Sequence, residues 1–284
     1  MSSSRLTAAA AAPGDATRRL WMPLLRALRR RRSVILGYHG VADCELRRDL
    51  SRLQTPPAQF TRQVQLLLEA GFQFTTVTEA ADDLAGDRPR PGLAVITFDD
   101  GMRNNHGTAL PILERLGVPA SVYVACDFIG GVSPWLAPES GGDMLDEGGI
   151  RALARAGWEI GAHTLSHPDM ASLSYDDCRA EIDGSRARLE SIIEAPVDTF
   201  AYPFGRYGPA AVAAARDSGM RAALTIGSGT WQRFELTRAM VSNGDPFPVV
   251  ALKMIDGYER LLGLPPLRAA RRISRAARGA LRER

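Results

Sequence analysis

An apolar run ends abruptly on two adjacent carboxylates in the stretch Leu93, Ala94, Val95, Ile96, Thr97, Phe98, Asp99, Asp100, Gly101. Its β-branched residues and the closing glycine predict a strand that is buried on both faces, as in a parallel sheet. The carboxyl ends of such strands are where α/β folds hold substrates and metals. Because neighbouring carboxylates repel one another unless a cation lies between them, the pair predicts a bound cation.

Two of the four histidines, His163 and His167, follow another short apolar stretch at Glu159 and Ile160. The spacing lets both imidazoles face the same way if the segment takes a helical turn, and Pro168 excludes a long helix. Two imidazoles and one carboxylate are typical of a catalytic metal site, which keeps positions open for water and substrate. This ligand set favours zinc, with cobalt or manganese as the other candidates.

Each of the two patterns has a plain structural alternative. A pair of Asp after a strand also serves as a helix N-cap or a turn. Two His four residues apart can be a surface or packing pair. Their joint occurrence, each at the end of a predicted strand in a chain with four His, favours the metal site.

Three motifs in this order resemble those of the polysaccharide deacetylases, carbohydrate esterase family 4 with the NodB homology domain. They are Thr-Phe-Asp-Asp-Gly at 97–101, His-Thr-Leu-Ser-His at 163–167 and Phe-Ala-Tyr-Pro-Phe-Gly at 200–205. The segment Tyr-His-Gly-Val at 38–41 resembles the poly-N-acetylglucosamine deacetylase branch. The resemblance, which covers residues 33–248, implies a distorted (β/α)7 barrel. It also implies a hydrolase that removes N-acetyl groups from an N-acetylhexosamine-containing polysaccharide or glycolipid.

The resemblance also assigns roles to residues. Asp99 would be the general base, and Asp100, His163 and His167 would hold the divalent ion. Carried over from the third motif, the backbone N–H of Phe204 would stabilise the oxyanion. Tyr202 would shape that loop at the substrate, with ordinary core packing as its alternative role.

The chain departs from the common family pattern at two positions. Ala201 occupies the place of an Arg that usually orients the base, and we expect Arg238, placed after the last strand, to replace it; the alternative is an ordinary solvated arginine. The usual late His is also missing, because no His follows His167. His39 ends the first predicted strand, and in the resembled branch an early His is the general acid. The alternative for His39 is a hydrogen bond within the turn at Gly40.

Alternating strands and helices predict βα units that wind into a closed parallel sheet. The 284 residues are 45% hydrophobic, which is enough for one sizeable core. We expect a basic segment at 1–33, the catalytic domain at 34–264 and a basic amphipathic tail at 265–284. Three widely spaced cysteines argue against a disulfide framework. The predicted strands are 34–38, 74–77, 93–98, 120–125, 159–163, 199–202 and 222–226, and the predicted helices are 60–70, 110–116, 150–156, 176–193, 210–218 and 249–262.

The net charge of +3 is unevenly distributed. Subtracting the basic stretches 1–33 and 268–284 leaves the body near −10, which argues against a nucleic-acid partner. Residues 20–28 form an amphipathic pattern that includes Trp21, and two interpretations are open. The helix can lie in an anionic bilayer interface, or it can pack on the domain with its arginines solvated. No signal peptide is evident, so we expect a cytoplasmic protein, with the basic ends in peripheral contact with the inner membrane face.

Two other functions remain open at this point. A related barrel could hydrolyse another non-peptide C–N amide bond. Alternatively, the replacement at Ala201 could mark a catalytically weak carbohydrate-binding protein. Trp135, in the loop 130–149, is a candidate platform for a sugar ring in either case.

Overall fold

A computed structural model describes residues 15–44, 49, 52–85, 89–134, 142–227 and 231–254, with only the backbone of 15–17. Trp135 and the predicted tail at 265–284 lie outside these residues. The described strands are β1 (Val34–Tyr38), β2 (Gly40–Val41), β3 (Gln54–Thr55), β4 (Gln73–Thr75), β5 (Leu93–Phe98), β6 (Ser121–Val124), β7 (Glu159–Ala162), β8 (Thr199–Ala201), β9 (Ala222–Ile226) and β10 (Leu236–Met240).

Seven parallel strands close into a barrel in the order β1, β5, β6, β7, β8, β9, β10. The closure is made by β1, whose Leu36 pairs with Ala239 of β10 on one side and with Ile96 of β5 on the other. The predicted (β/α)7 barrel of the NodB type is therefore confirmed. All carboxyl ends of these strands open at the same end of the barrel.

The short strand β4 is an addition to the barrel. It pairs with Leu93–Val95 at the start of β5, while β6 pairs with Thr97 and Phe98 further along on the same side. The strand predicted at 74–77 ends earlier, because Thr76 caps a helix that begins at Val77. The Thr76 hydroxyl accepts from the N–H of Glu79, whose carboxylate accepts from the N–H of Thr76, as in a capping box.

Helices surround the barrel. They are α1 (Asp15–Arg29), α2 (Pro57–Ala70), α3 (Val77–Leu84), α4 (Leu110–Leu116), α5 (Glu147–Arg155), α6 (Tyr175–Ile193), α7 (Pro209–Asp217) and α8 (Phe247–Met254). Most of the buried apolar side chains lie between these helices and the outer face of the sheet. The predicted helix at 249–262 is described only as far as Met254. β10 was not among the predicted strands.

A second, smaller apolar cluster combines inward-facing side chains of the strands with the apolar side of α3. Tyr123 is the largest buried residue of this cluster, and its ring packs closely against the backbone of Gly161. A Cβ at Gly161 would lie 2.3 Å from that ring, so only glycine fits at this position of β7. The floor under the site is thus solid side chain.

The helix α1 packs on the domain, which is the second of the two interpretations of its amphipathic pattern. Met22, Leu25 and Leu28 are buried, and Trp21 meets the ring of Phe247 edge-on at 5.8 Å. Leu20 and Leu24 remain 70% and 41% exposed. Within the described ranges, no helix combines the length and apolarity that a membrane span requires.

Candidate active site

The site is assembled at the carboxyl ends of the strands. Asp99 and Asp100 directly follow β5, and the backbone N–H of Asp99 donates to the carbonyl of Tyr38 at 2.9 Å. This bond places the first carboxylate beside the end of β1, where His39 follows. The loop after β7 carries His163 and His167, so three strands contribute to one mouth.

The backbone of the site is held in uncommon conformations. Six non-glycine residues among the described ones have a positive φ, and four of them line this mouth. They are Asp100 (72°), Thr164 (69°), His167 (60°) and Phe204 (57°). Such conformations cost energy and persist where the surroundings enforce them, which is frequent at functional sites.

Asp100, His163 and His167 form a group able to hold a metal ion, with donor atoms that all lie within 4.8 Å of one another. Oδ1 of Asp100 is 3.5 Å from Nε2 of His163 and 3.4 Å from Nε2 of His167. Ligand bonds of about 2.0–2.1 Å in a tetrahedron place neighbouring donors roughly 3.4 Å apart. The donor set and its spacing therefore fit a divalent cation.

Neighbouring groups orient these three side chains and shift the pKa values of Asp100 and His167. Nδ1 of His163 lies 2.7 Å from the carbonyl of Ala201, and this contact fixes the ring with Nε2 directed at Asp100. Burial lowers the pKa of His167 despite the opposing effect of Asp100, which favours the neutral imidazole that a metal requires. Burial acts to raise the pKa of Asp100, but hydrogen bonds from both imidazoles hold it well below its usual value.

Asp99 is paired with Arg238. The two guanidinium nitrogens Nη1 and Nη2 donate to Oδ1 and Oδ2 at 2.6 and 2.8 Å, and both side chains are buried. Burial alone would raise the pKa of Asp99, but the charge of Arg238 lowers it. The prediction that Arg238 lies after the last strand is wrong, since it lies within β10. It points into the barrel, and the alternative of a solvated arginine does not apply.

Arg238 is itself held by groups that the sequence did not single out. Nη1 also contacts the hydroxyl of Thr97 at 3.2 Å, and Nε donates to the carbonyl of Thr225 at 3.3 Å. The ring of Tyr123 lies 5.7 Å from the guanidinium carbon. The alternation of β10, in which Leu236 and Arg238 are buried and Thr237 is less so, was the signal that could have placed this arginine inside.

His39 lies between β1 and β2, at the rim next to the two aspartates. The backbone carbonyl of His39 accepts a hydrogen bond from Nδ2 of Asn105 at 2.7 Å. Asn105 was not among the residues that the sequence singled out. Nδ1 of His39 is buried and has no hydrogen-bond partner within the described part of the chain. The described residues thus show no turn hydrogen bond from this ring nitrogen, and a positive charge on His39 would lower the pKa of both Asp99 and Asp100.

The loop after β8 brings Phe204 to the mouth and keeps Tyr202 below it. The ring of Phe204 is 57% exposed and meets His167 edge-on at 4.6 Å. Tyr202 is fully buried, and its hydroxyl donates to the carbonyl of Phe234 at 3.1 Å. Its side chain therefore supports the loop and does not face the mouth, which fits the alternative of core packing.

Comparison with known proteins agrees with this geometry. The sequence profile of the family described as "Polysaccharide deacetylase" matches residues 86–223, just under half of the chain. Residues 86–223 are thus similar to the polysaccharide deacetylase family, and the deacetylase class of hydrolase predicted from the motifs is confirmed.

Individual relatives are more distant. The chain is 26% identical over 215 residues to YxkH of Bacillus subtilis (strain 168), a protein provisionally named a polysaccharide deacetylase. The alignment covers 74% of this chain and 71% of YxkH. The deacetylase PplD of Streptococcus pyogenes, solved with acetate, superposes with a TM-score of 0.66 at 22% identity, over 78% of this chain and 97% of PplD. IcaB from Ammonifex degensii superposes with a TM-score of 0.67 at 23% identity, over 78% of this chain and 96% of the IcaB chain. At these identities the structures establish the fold.

Proposed function

We propose that this protein is a metal-dependent hydrolase that removes N-acetyl groups from an N-acetylhexosamine-containing polysaccharide or glycolipid. The observation that carries the proposal is the placement of the Asp100, His163 and His167 group directly beside a buried Asp99 that Arg238 holds by two hydrogen bonds. The family match, and the deacetylases among the proteins of similar fold, support the same reaction class.

Asp100, His163 and His167 would hold the ion, and the ligand set favours Zn²⁺, with Co²⁺ or Mn²⁺ as alternatives. A bound divalent ion polarises a substrate carbonyl and lowers the pKa of water. The remaining steps fall to side chains and backbone groups of this chain.

Asp99 is the proposed general base. Each carboxylate oxygen accepts one hydrogen bond from Arg238, and a carboxylate offers about four lone-pair sites, so acceptor capacity remains for the proton of an attacking water. The guanidinium fixes the plane of the carboxylate and keeps it ionised despite its burial. This is the orienting task that the missing Arg at position 201 would otherwise perform.

His39 is the proposed general acid, which donates a proton to the nitrogen of the leaving amine. An imidazole is suited to this step because its pKa lies near neutrality. Supporting this role, His39 stands at the rim close enough to influence both aspartates, and Asn105 anchors its backbone. The backbone N–H of Phe204, in the strained loop next to His167, is the proposed donor to the developing oxyanion.

The alternatives to this proposal keep the fold and change the chemistry. A barrel with the same site could act on another C–N amide bond. The complete set of Asp99, Asp100, His163, His167 and His39, with Arg238 in place for the absent motif arginine, argues against a protein that only binds carbohydrate. The cytoplasmic location, the contact with an inner membrane face and the loop platform at Trp135 stay predictions.

Acetate release from N-acetylglucosamine oligomers tests the proposal. The chelator-treated protein should be inactive, and activity should return with zinc, cobalt or manganese. An Asp99→Asn variant should bind the metal yet release no acetate. A protein that binds the metal but releases no acetate from any oligomer, while cleaving a cyclic imide, would move the assignment to the other amide substrates.

A further inference from the structure

A second cavity of about 540 Å³ lies outside the barrel, between α1 and the first turns of α2 and α8. Its volume is within the range of small-molecule sites. None of its lining residues falls within the segment 86–223 that the family profile matches, so the cavity belongs to the part of the chain outside that match. It is lined by Trp21, Pro56, Ala58, Gln59, Arg62, Gln63, Gly244, Asp245, Pro246, Phe247 and Pro248.

One side of the cavity is apolar and rigid. Trp21 is half-buried and packs edge-on against Phe247, and three prolines complete the lining. A flat ring or a short apolar segment could pack on this side. Such a surface with a few polar groups is typical of a small-molecule site.

Two side chains on the other side, Gln63 and Arg62, have unused hydrogen-bond donors. Gln63 is 1% exposed; its Oε1 accepts from the hydroxyl of Tyr38 at 2.8 Å, but its Nε2 is buried and has no partner among the described residues. Arg62 is exposed and makes no ion pair or hydrogen bond within the described ranges. An unpartnered buried amide N–H2 is costly, so this group favours a ligand that can accept its hydrogen bonds.

The start of α2 adds to this donor set. No side chain caps the helix, and its first turn holds no acidic residue. Pro56 and Pro57 have no N–H, and the N–H of Phe60 donates to the carbonyl of Pro56 at 2.9 Å, so the donors at the positive end of this helix dipole are the N–H groups of Ala58 and Gln59. Together with Arg62 and Gln63, which lie one turn further along the same helix, they favour an anion.

The one carboxylate in the lining, Asp245, is already neutralised. Its oxygens contact Nζ of Lys253 at 2.6 Å and Nη2 of Arg52 at 3.4 Å, and they accept from the N–H of Ser242 at 2.8 Å. Its carbonyl accepts from Nε2 of Gln59 at 2.8 Å. The local balance of charge is therefore positive once Arg62 is included.

We propose that this cavity binds a phosphate group carried on a ring or short apolar body. The phosphate would accept hydrogen bonds from Arg62, from Gln63 and from the start of α2, while the body packs on Trp21. A free sugar phosphate and a phospholipid headgroup share this chemistry. Leu20 and Leu24, exposed on α1 beside Trp21, would contact acyl chains in the second case.

Three probes separate these sources: inorganic phosphate, N-acetylglucosamine 1-phosphate, and phosphatidylglycerol vesicles compared with phosphatidylcholine vesicles. Calorimetric titration and vesicle co-sedimentation should show binding to the wild-type chain that weakens at least tenfold in Arg62→Glu. Arg155→Glu is the matched control, because Arg155 is an exposed helical arginine that likewise makes no ion pair within the described residues.

Binding of a soluble phosphate that is lost in Arg62→Glu supports the proposal with a free ligand. Selective binding of phosphatidylglycerol vesicles, lost in the same variant and reduced in a Leu20→Ser, Leu24→Ser pair, supports it with a lipid headgroup. The proposal is overturned if the wild-type chain binds none of the probes, or if Arg62→Glu binds them as well as the wild type. Acetate release is a separate readout, so these outcomes do not depend on the deacetylase assignment.

Discussion

Arg238 reaches Asp99 from strand β10, on the far side of β1 from the strand that carries the aspartates, and donates to both of its carboxylate oxygens at 2.6 and 2.8 Å. The pair is buried, and the barrel closes around it. A buried carboxylate without such a partner would be protonated or would unfold the site. The pair therefore links the stability of the barrel to the ionised state of the proposed base.

Replacing Arg238 should therefore damage both activity and stability. Arg238→Ala leaves Asp99 as an uncompensated buried charge, which costs about 3–5 kcal/mol. Arg238→Lys keeps the charge but loses the two-point geometry, so we expect a folded protein with at least tenfold lower kcat. Urea denaturation and acetate release measure the two effects. Unchanged stability and kcat in Arg238→Ala would show that the pair has neither role.

Parts of this site were readable from the sequence and parts were not. The apolar run before Asp99 predicted β5 and its carboxylates correctly, because a strand buried on both faces leaves a continuous signal. β10 was missed because Arg238 interrupts its apolar pattern, and the burial of this arginine is tolerable because Asp99, which follows β5, pairs with it. Asn105 carried no pattern at all, since its contact is to the backbone of His39.

The helix α3 was not predicted, for a different reason. Thr76 and Glu79 match the capping-box pattern in the sequence, but the apolar residues Phe74 and Val77 predict a single strand. The capping hydrogen bonds separate them into the end of β4 and the start of a helix. Local side-chain bonds of this kind compete with the alternation that predicts strands.

Removing the proposed metal ligands should weaken metal binding without unfolding the barrel. Asp100→Ala and His167→Ala should each bind zinc at least a hundredfold more weakly and lose acetate release. In the wild type, zinc at a hundred times its dissociation constant should stabilise the fold by about 2.7 kcal/mol, because it binds only the folded chain. Metal content after dialysis and thermal melts with and without zinc measure both effects. Asp99→Asn is the control that should keep the zinc-dependent rise in Tm.

The capping box of α3 should make stability depend on pH. The hydroxyl of Thr75 and the N–H of Thr76 donate to Glu79 and lower its pKa below the ordinary value of 4.5. The ionised Glu79 carboxylate therefore contributes fully to the stability of the fold above its ordinary pKa. This contribution is lost as the pH falls through the lower pKa of the folded state. Thermal melts between pH 3 and 7 should therefore show a steeper loss in the wild type than in Glu79→Gln. Thr76→Ala, which removes the reciprocal cap, should cost about 1 kcal/mol near neutral pH.

Tyr123 should act on catalysis through Arg238, because its ring lies 5.7 Å from the guanidinium carbon and its hydroxyl is 3.2 Å from that of Thr199. Tyr123→Phe keeps the ring and should leave kcat within about threefold of the wild type. Tyr123→Leu removes a buried cation–π contact worth about 2 kcal/mol, so kcat should fall roughly thirtyfold with little change in KM. Gly161→Ala, whose Cβ would lie 2.3 Å from the ring, should displace the ring and lower both kcat and stability. Equal kcat in the Phe and Leu variants, both folded, would mean that the ring does not position the base.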